Sequence, residues 1–298
     1  MAMHPFHRTE LLVGGAGFER LKNTRVCVVG LGGVGSFAVE ALVRSGVGHL
    51  TLVDYDRVCI TNLNRQLHAT RKTVNQPKVA LMAERVRSIN PKCDAVELQR
   101  FYGRDSDAEI LGPPEERRFD AVIDCIDNMT AKVQLIESCV RRGIPVYSAL
   151  GAGGRMDPTR VRVTDLSETR NDPFARLVRD LLRQRGIHDG VICVWSDEPP
   201  VDLDEAAKSA FKCICPDQDD VAINHCETRF QVQGSNSWMP SIYGLTLAGV
   251  VVNRLLERPI HDLDLRVDPK SLRDKPSPHR PSRARKKALI EAAGRTET

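Results

Sequence analysis

No stretch of this sequence is long and apolar enough to cross a membrane. The longest apolar run, Ile242 to Leu256, falls short of the roughly 20 residues that a spanning helix needs, and it carries Asn253 and Arg254. The chain also lacks a Gly-x-x-x-x-Gly-Lys-Ser/Thr loop, which excludes a P-loop enzyme. Internal repeats are absent, and "MAMHPFHRTELL" has no charged-then-apolar leader pattern. Nine cysteines lie at scattered spacings. Cys27 and Cys125, at adjacent-strand positions, fit buried thiols of a reducing compartment better than a disulfide framework. The expectation is a cytoplasmic chain with no membrane partner. Its 298 residues, 41% of them hydrophobic, suffice to build a core without staples.

What the sequence does have is a run of β-formers that ends in glycine. "VCVVGLGGVGSFAVEALVRSG", Val26 to Gly46, reads as a strand, a glycine turn and a helix. Such a turn lets backbone N–H groups at a helix N-terminus approach a phosphate. "HLTLVDYD" follows as a second strand that ends in acids. "PKVALMAERVRSINP" is a helix with Val79, Met82, Ala83, Val86 and Ile89 on one face. "AVELQRFY", "FDAVIDCID" and "IPVYSAL" are further strands, and "AKVQLIESCVRRG" is a helix closed by Gly143. This alternation predicts an α/β fold: a doubly wound, mainly parallel sheet with a Rossmann-like nucleotide-binding half and an extended second half. Right-handed crossovers put the strand ends, with their acids, on one edge.

Beyond Val161, a strand leads to a helix capped by Asp172, with Pro173 in its first turn and Gly186 beyond its end. Its expected apolar face is Phe174, Leu177, Val178, Leu181 and Leu182, with Arg176, Arg179 and Arg183 projecting elsewhere. "VICVWSDE" is another strand, and "IYGLTLAGVVVNRLL" is a core helix. The expected division is a nucleotide-binding domain over 1–256 and a basic tail over 257–298. In the tail, "HRPSRARKK" holds five Lys or Arg and no acid, which reads as a solvated tail or a supporting contact to RNA phosphates.

The glycine turn with Asp54 at the end of the second strand suits NAD or ATP equally, because either offers a ribose hydroxyl to the acid. The residues after Asp54 favour ATP. Asn62, Arg65 and Gln66 fall in the following loop and Lys78 opens the next helix, so two cations face one edge. Neutralising a departing pyrophosphate demands such charge; holding a dinucleotide does not. Asp124 and Asp127 close the fourth strand on the same edge. Asp127, nearer the mouth, can hold magnesium, whereas Asp124 reads as an internal hydrogen bond or cap. Cys213, Cys215 and Cys226, with Cys193 or His225, have only weak zinc spacing, so ordinary thiols are the default.

"GLGGVGS", "LVDYDRVCITNLNRQLHA", "PKVALMAERVRSINP", "IDCIDN" and "GAGGRMDPTRVRVTDLSET" occur in this order, and together they resemble the ThiF/MoeB/HesA activating enzymes. Within that family the resemblance is greatest to the tRNA threonylcarbamoyladenosine dehydratases, and it is strong from Arg8 to Leu166. The resemblance implies nucleotide contact by Gly32 and Gly35, ribose contact by Asp54, triphosphate contact by Asn62, Arg65 and Lys78, and magnesium at Asp127. It implies a homodimer in which Arg8 reaches the partner's ATP. It also implies a tRNA carrying threonylcarbamoyladenosine as substrate, closed to a cyclic product at the expense of ATP, with a sulfur-relay protein as a further partner. The cysteine that such bacterial enzymes often carry before the last core helix has no counterpart here, so no catalytic cysteine is assigned. Three alternatives stay open at this point: activation of a ubiquitin-like sulfur carrier, a non-catalytic nucleotide-binding adaptor, and an NAD oxidoreductase.

Overall fold

Val26, Val28, Leu50, Leu52 and Ile123 turn toward one side of a sheet, and Cys27, Val29 and Val122 toward the other. Burial on both faces is why the strands read as continuous apolar runs. The computed structural model describes residues 4–201 and 234–260. Its strands are β1 (Arg25–Val29), β2 (His49–Val53), β3 (Asp94–Leu98), β4 (Ala121–Asp124), β5 (Val146–Ala149), β6 (Val161–Asp165) and β7 (Ile192–Ser196). The helices are α1 (His7–Val13), α2 (Gly15–Lys22), α3 (Gly35–Arg44), α4 (Lys78–Ile89), α5 (Asp107–Leu111), α6 (Met129–Arg141), α7 (Pro173–Arg183) and α8 (Trp238–Leu255).

The strand order is β3-β2-β1-β4-β5-β7-β6. The chain winds outward from β1 to β3 and returns to β4 on β1's other flank. The crevice beyond the C-terminal ends of β1 and β4 is therefore the topological switch point, where open α/β sheets bind ligands. Val26 lies opposite Leu50 on one side and Ala121 on the other, all in parallel register. Residues of α3, α4 and α8, including Leu42, Met82 and Leu247, cover the first face. Ile110, Leu135 and Val178, from α5, α6 and α7, cover the second.

The expected doubly wound α/β sheet is present, with one strand reversed: β6 runs antiparallel to β7, Val161 opposite Ser196. Helix α7 starts as expected, with Asp172 Oδ1 accepting the Phe174 and Ala175 N–H groups at 2.9 and 3.2 Å. Its apolar face differs from the expected one. Ala175, Val178 and Leu182 are the buried residues, and Leu177 is 49% exposed. Arg179 does not project freely, because its guanidinium bonds the Thr169 carbonyl at 2.9 Å and the Thr169 hydroxyl. Arg176 and Arg183 flank Asp180 at 3.8 and 3.9 Å. The three arginines are thus not one open cationic face.

Every described residue belongs to one unit, Met1–Leu263, and the other unit, Asp264–Thr298, lies outside the described residues. So do the basic run Arg283–Lys287 and the residues Cys213, Cys215, His225 and Cys226. No helix among the described residues is long and apolar enough to cross a membrane.

Candidate nucleotide site

The glycine turn joins β1 to α3 by contacts that leave no room for side chains. Gly30 has φ +90°, and a Cβ there would sit 2.7 Å from the Cys125 carbonyl oxygen. A Cβ on Gly35 would lie 1.8 Å from the Gly30 oxygen, so α3 starts in backbone contact with the end of β1. Over Gly32, by contrast, the nearest atom to an added Cβ is Gln66 Nε2 at 3.7 Å, so the middle of the turn is open for a phosphate or ribose.

Asp54 continues directly from β2 and fixes the turn from the side. Its Oδ2 accepts the Leu31 N–H at 2.6 Å and its Oδ1 accepts the Asp56 N–H at 2.8 Å. Burial raises the Asp54 carboxyl above the usual carboxylate range, against the pull of Lys78. Each oxygen keeps lone-pair capacity for a hydroxyl donor.

Lys78 is 22 residues away from Asp56 in sequence but bonded to it. The loop after β2 folds back through a bridge between Arg57 and Pro77 and through the Val58 and Asn75 backbone bonds. This return brings the Lys78 N–H to the Asp56 carbonyl at 3.1 Å and Lys78 Nζ to Asp56 Oδ2 at 2.7 Å. Burial opposes the ammonium charge, but Asp54, Asp56 and, more weakly, Asp127 outweigh it and hold Lys78 above its ordinary pKa. A buried cation thus faces a cluster of acids at the switch point.

The same loop carries Asn62, Arg65, Gln66 and His68. Asn62 is buried, and its Oδ1 accepts the Cys59 N–H at 3.0 Å, closing a short 3-10 turn. Arg65 lies against the glycine turn, its Cγ 3.3 Å from where a Gly33 Cβ would be, and its guanidinium donates to the Thr61 carbonyl at 3.0 Å and Asn64 Oδ1 at 2.9 Å. The Leu67 N–H reaches Ser36 Oγ at 3.3 Å, tying the loop to the first turn of α3. Asp127 is exposed just beyond β4, ahead of the Asn128 cap of α6. The structure therefore brings Gly32, Gly35, Asp54, Arg65, Lys78 and Asp127 to one edge. Arg8 stands apart, exposed on α1.

Three features escaped the sequence reading. Gln66 Oε1 and both ring nitrogens of His68 are buried without a partner. This is unspent hydrogen-bonding capacity beside the turn, and the only hint in the sequence was the polar composition of "NRQLH". Asp124 is paired with Lys132 at 2.6 Å, both fully buried, so the expected internal role has a charged partner. Arg155 and Asp172 form a second buried pair at 3.4 Å, with Arg155 Nη1 and Asp172 Oδ2 unpartnered. Nearby, the Gly154 carbonyl accepts the Val201 N–H at 2.7 Å and the Gly154 N–H donates to the Gly234 carbonyl at 2.8 Å.

Five of the six described thiols are held out of nucleophilic chemistry by burial. Burial pushes Cys27, Cys125, Cys139 and Cys193 well above the ordinary thiol value and Cys93 to about 11. At neutral pH they carry essentially no thiolate.

Burial, with Lys78 adding to it, pushes His68 down to about 3. The unfolded chain takes up a proton near pH 6.5 that the folded chain refuses, so the stability contributed by neutral His68 is complete above pH 6.5. It is lost as pH falls toward 3, at up to about 1.4 kcal/mol per pH unit. His68→Gln is expected to flatten this limb in urea melts run between pH 7 and 4. An unchanged pH slope would assign acid sensitivity to other groups.

The sequence profile of the ThiF family matches residues 6–268. The chain is 43% identical to the tRNA threonylcarbamoyladenosine dehydratase of Bacillus subtilis over 255 residues, covering 86% of this chain and 96% of that protein. The structure of the E. coli tRNA N6-threonylcarbamoyladenosine dehydratase TcdA in complex with AMP matches with a TM-score of 0.71 at 34% identity, covering 85% of this chain and 94% of that one. The same enzyme in complex with ATP matches with a TM-score of 0.70 at 32% identity, covering 91% and 96%. With its glycine turn, the acid after β2 and the lysine that opens α4 gathered at the switch point of a doubly wound sheet, this chain belongs to the ThiF family.

Proposed function

We propose that this protein is an ATP-dependent tRNA threonylcarbamoyladenosine dehydratase. The observation that carries the reading is the buried Lys78, poised at the same edge as an open glycine turn, in a chain that matches a dehydratase over nearly its whole length. Gly32 and Gly35 accommodate the nucleotide, Asp54 takes the ribose, and Asn62, Arg65 and Lys78 meet the triphosphate. The substrate carboxylate attacks the α-phosphorus and pyrophosphate leaves. The carbamoyl carbonyl oxygen then attacks the activated carbonyl carbon and expels AMP, while the adjoining carbamoyl N–H gives up its proton as a C=N bond forms, so the net loss from the nucleoside is one water. The protein supplies positioning and charge neutralisation, which is most of what phosphoryl-group activation requires.

Asp127 suits magnesium. It is an exposed carboxylate that joins no group of three ligand side chains among the described residues. Magnesium is commonly held by one or two carboxylates, with phosphate and water completing its shell. Bound there, it would offset triphosphate charge. A homodimer is supported by α1, where Arg8 is exposed beside Leu11 and Leu12, 69% and 71% exposed. The modified tRNA, a second copy of the chain and a sulfur-relay protein are the proposed partners. A cytoplasmic location fits the six described cysteines, all of them free.

The test is AMP formation with modified tRNA, unmodified tRNA and ubiquitin-like carrier proteins in parallel. The expected result is turnover with the modified tRNA alone, giving a product lighter by one water. Adenylation of a carrier C-terminus without tRNA turnover would replace this reading.

A further inference from the structure

We propose that His4, His7 and Glu10, at the N-terminal end of the described chain, form a binding site for a divalent transition-metal ion such as zinc or cobalt. The three offer an imidazole nitrogen of His4, an imidazole nitrogen of His7 and a Glu10 carboxylate oxygen within 4.8 Å of one another, and no other such group occurs among the described residues. Two imidazoles and one carboxylate favour zinc, cobalt or nickel over magnesium or calcium, which take oxygen ligands.

The spacing matches coordination. Two bonds of about 2.0–2.1 Å at a tetrahedral angle hold their ligand atoms about 3.3 Å apart. Glu10 Oε2 lies 2.9 Å from His4 Nε2 and 3.6 Å from His7 Nδ1, on either side of that value. The longer distance is outside hydrogen-bond range, and His7 Nδ1 is a buried atom without a hydrogen-bond partner although it faces the carboxylate. An ion between the three would satisfy it. The side chains are between 18% and 34% exposed, so an ion can enter and a water can take the fourth position.

The surroundings fix the rings. His4 stacks on Phe18, their centroids 5.2 Å apart, so α2 helps to orient the first ligand. The His4 carbonyl accepts the His7 N–H at 3.0 Å, which sets the turn linking the two imidazoles. His4 Nδ1 accepts the Phe6 N–H at 3.2 Å. Metal binding at Nε2 moves the ring proton to Nδ1 and gives up that bond, so the ion competes with a local arrangement of the free chain. Helix α1 is seven residues long, too short to persist on its own. An ion held by a residue before the helix and two within it would pin its first turn, where Arg8 sits between two of the ligands. This inference does not depend on the nucleotide reading.

The test is a Co2+ titration of the full chain, free of nucleotide and magnesium, followed by its visible d–d absorption. The expected result is one equivalent bound without thiolate-to-cobalt charge transfer, and unchanged binding when Cys213, Cys215 and Cys226 are all replaced by Ser. His7→Ala and His4→Ala should each lower cobalt affinity at least tenfold while melting normally in the presence of chelator. Zn2+ should raise the melting temperature of the parent chain and not that of the two variants. Retention of cobalt by His7→Ala, or bands that vanish only with the cysteine replacements, would overturn the site.

Discussion

Replacing Lys78 with alanine is expected to lower ATP–pyrophosphate exchange by at least about a hundredfold, the usual loss when one charge-stabilising donor is taken from a site screened from water. Lys78 is buried and meets Asp56 at 2.7 Å, with Asp54 and Asp127 adding to the field that keeps it charged. In the proposed ATP complex the ammonium would turn from these acids toward the triphosphate, serving as a stored charge rather than a structural pair. The burial that makes it effective also makes its loss ambiguous, since Lys78→Ala leaves Asp54 and Asp56, the nearer of these acids, without their counter-charge. Arg65→Ala resolves this. Its guanidinium donates to the Thr61 carbonyl and to Asn64 Oδ1 within its own loop, neither of them an acid, so the variant removes a second cation beside the glycine turn without stranding either carboxylate that Lys78 balances. Exchange should fall by a similar factor with an unchanged melting curve. Near-normal exchange in both variants would remove ATP activation from this edge.

The parts of the site that could be read from sequence are those set by chain-local rules. A strand followed by Gly30–Gly35 and an apolar helix must place the turn at a strand end, and Asp54 and Asp127 lie at strand ends for the same reason. Lys78 was legible because helix α4 could be seen to start there. Its ion pair with Asp56 was not, since the pairing depends on how the loop between them folds back. Lys132 gave no signal at all: it sits inside α6 among apolar residues and finds its partners on two strands. The reversal of β6 was hidden because an edge strand has the same alternation in either direction. Helical spacing marks a broad stripe that takes in Leu177, whereas the narrower line of Ala175, Val178 and Leu182 is what α7 buries. The Arg155–Asp172 pair joins residues from two loops, and no periodicity reports such a contact.

The largest effect on stability is expected from Lys132→Met. Lys132 Nζ donates to Asp124 Oδ2 at 2.6 Å, to the Ala149 carbonyl at 2.8 Å and to Ser148 Oγ at 3.2 Å. The Ser148 hydroxyl in turn donates to Asp124 Oδ2 at 2.6 Å, and Asp124 Oδ1 accepts the Ile126 N–H at 3.0 Å. The lysine therefore ties α6 to the C-terminal ends of β4 and β5, at the edge where the nucleotide is proposed to bind. An ion pair with both side chains fully buried is weak grounds for stability as a whole, because desolvation offsets the attraction. Breaking it from one side is different. Methionine fills most of the volume but strands a carboxylate in the sheet, and such changes cost about 3–5 kcal/mol. For a chain of this size that should lower the melting temperature by about 10 °C. Asp124→Asn combined with Lys132→Met removes the stranded charge while an amide can still serve Ile126 and Ser148, so the double variant should regain most of the loss. The comparison is made by thermal melts of the two variants beside the parent chain. If Lys132→Met melts with the parent, the pair is not a structural tie between helix and sheet; if the double variant is no better than the single, the cost lies in lost packing and the carbonyl of Ala149, not in the stranded acid.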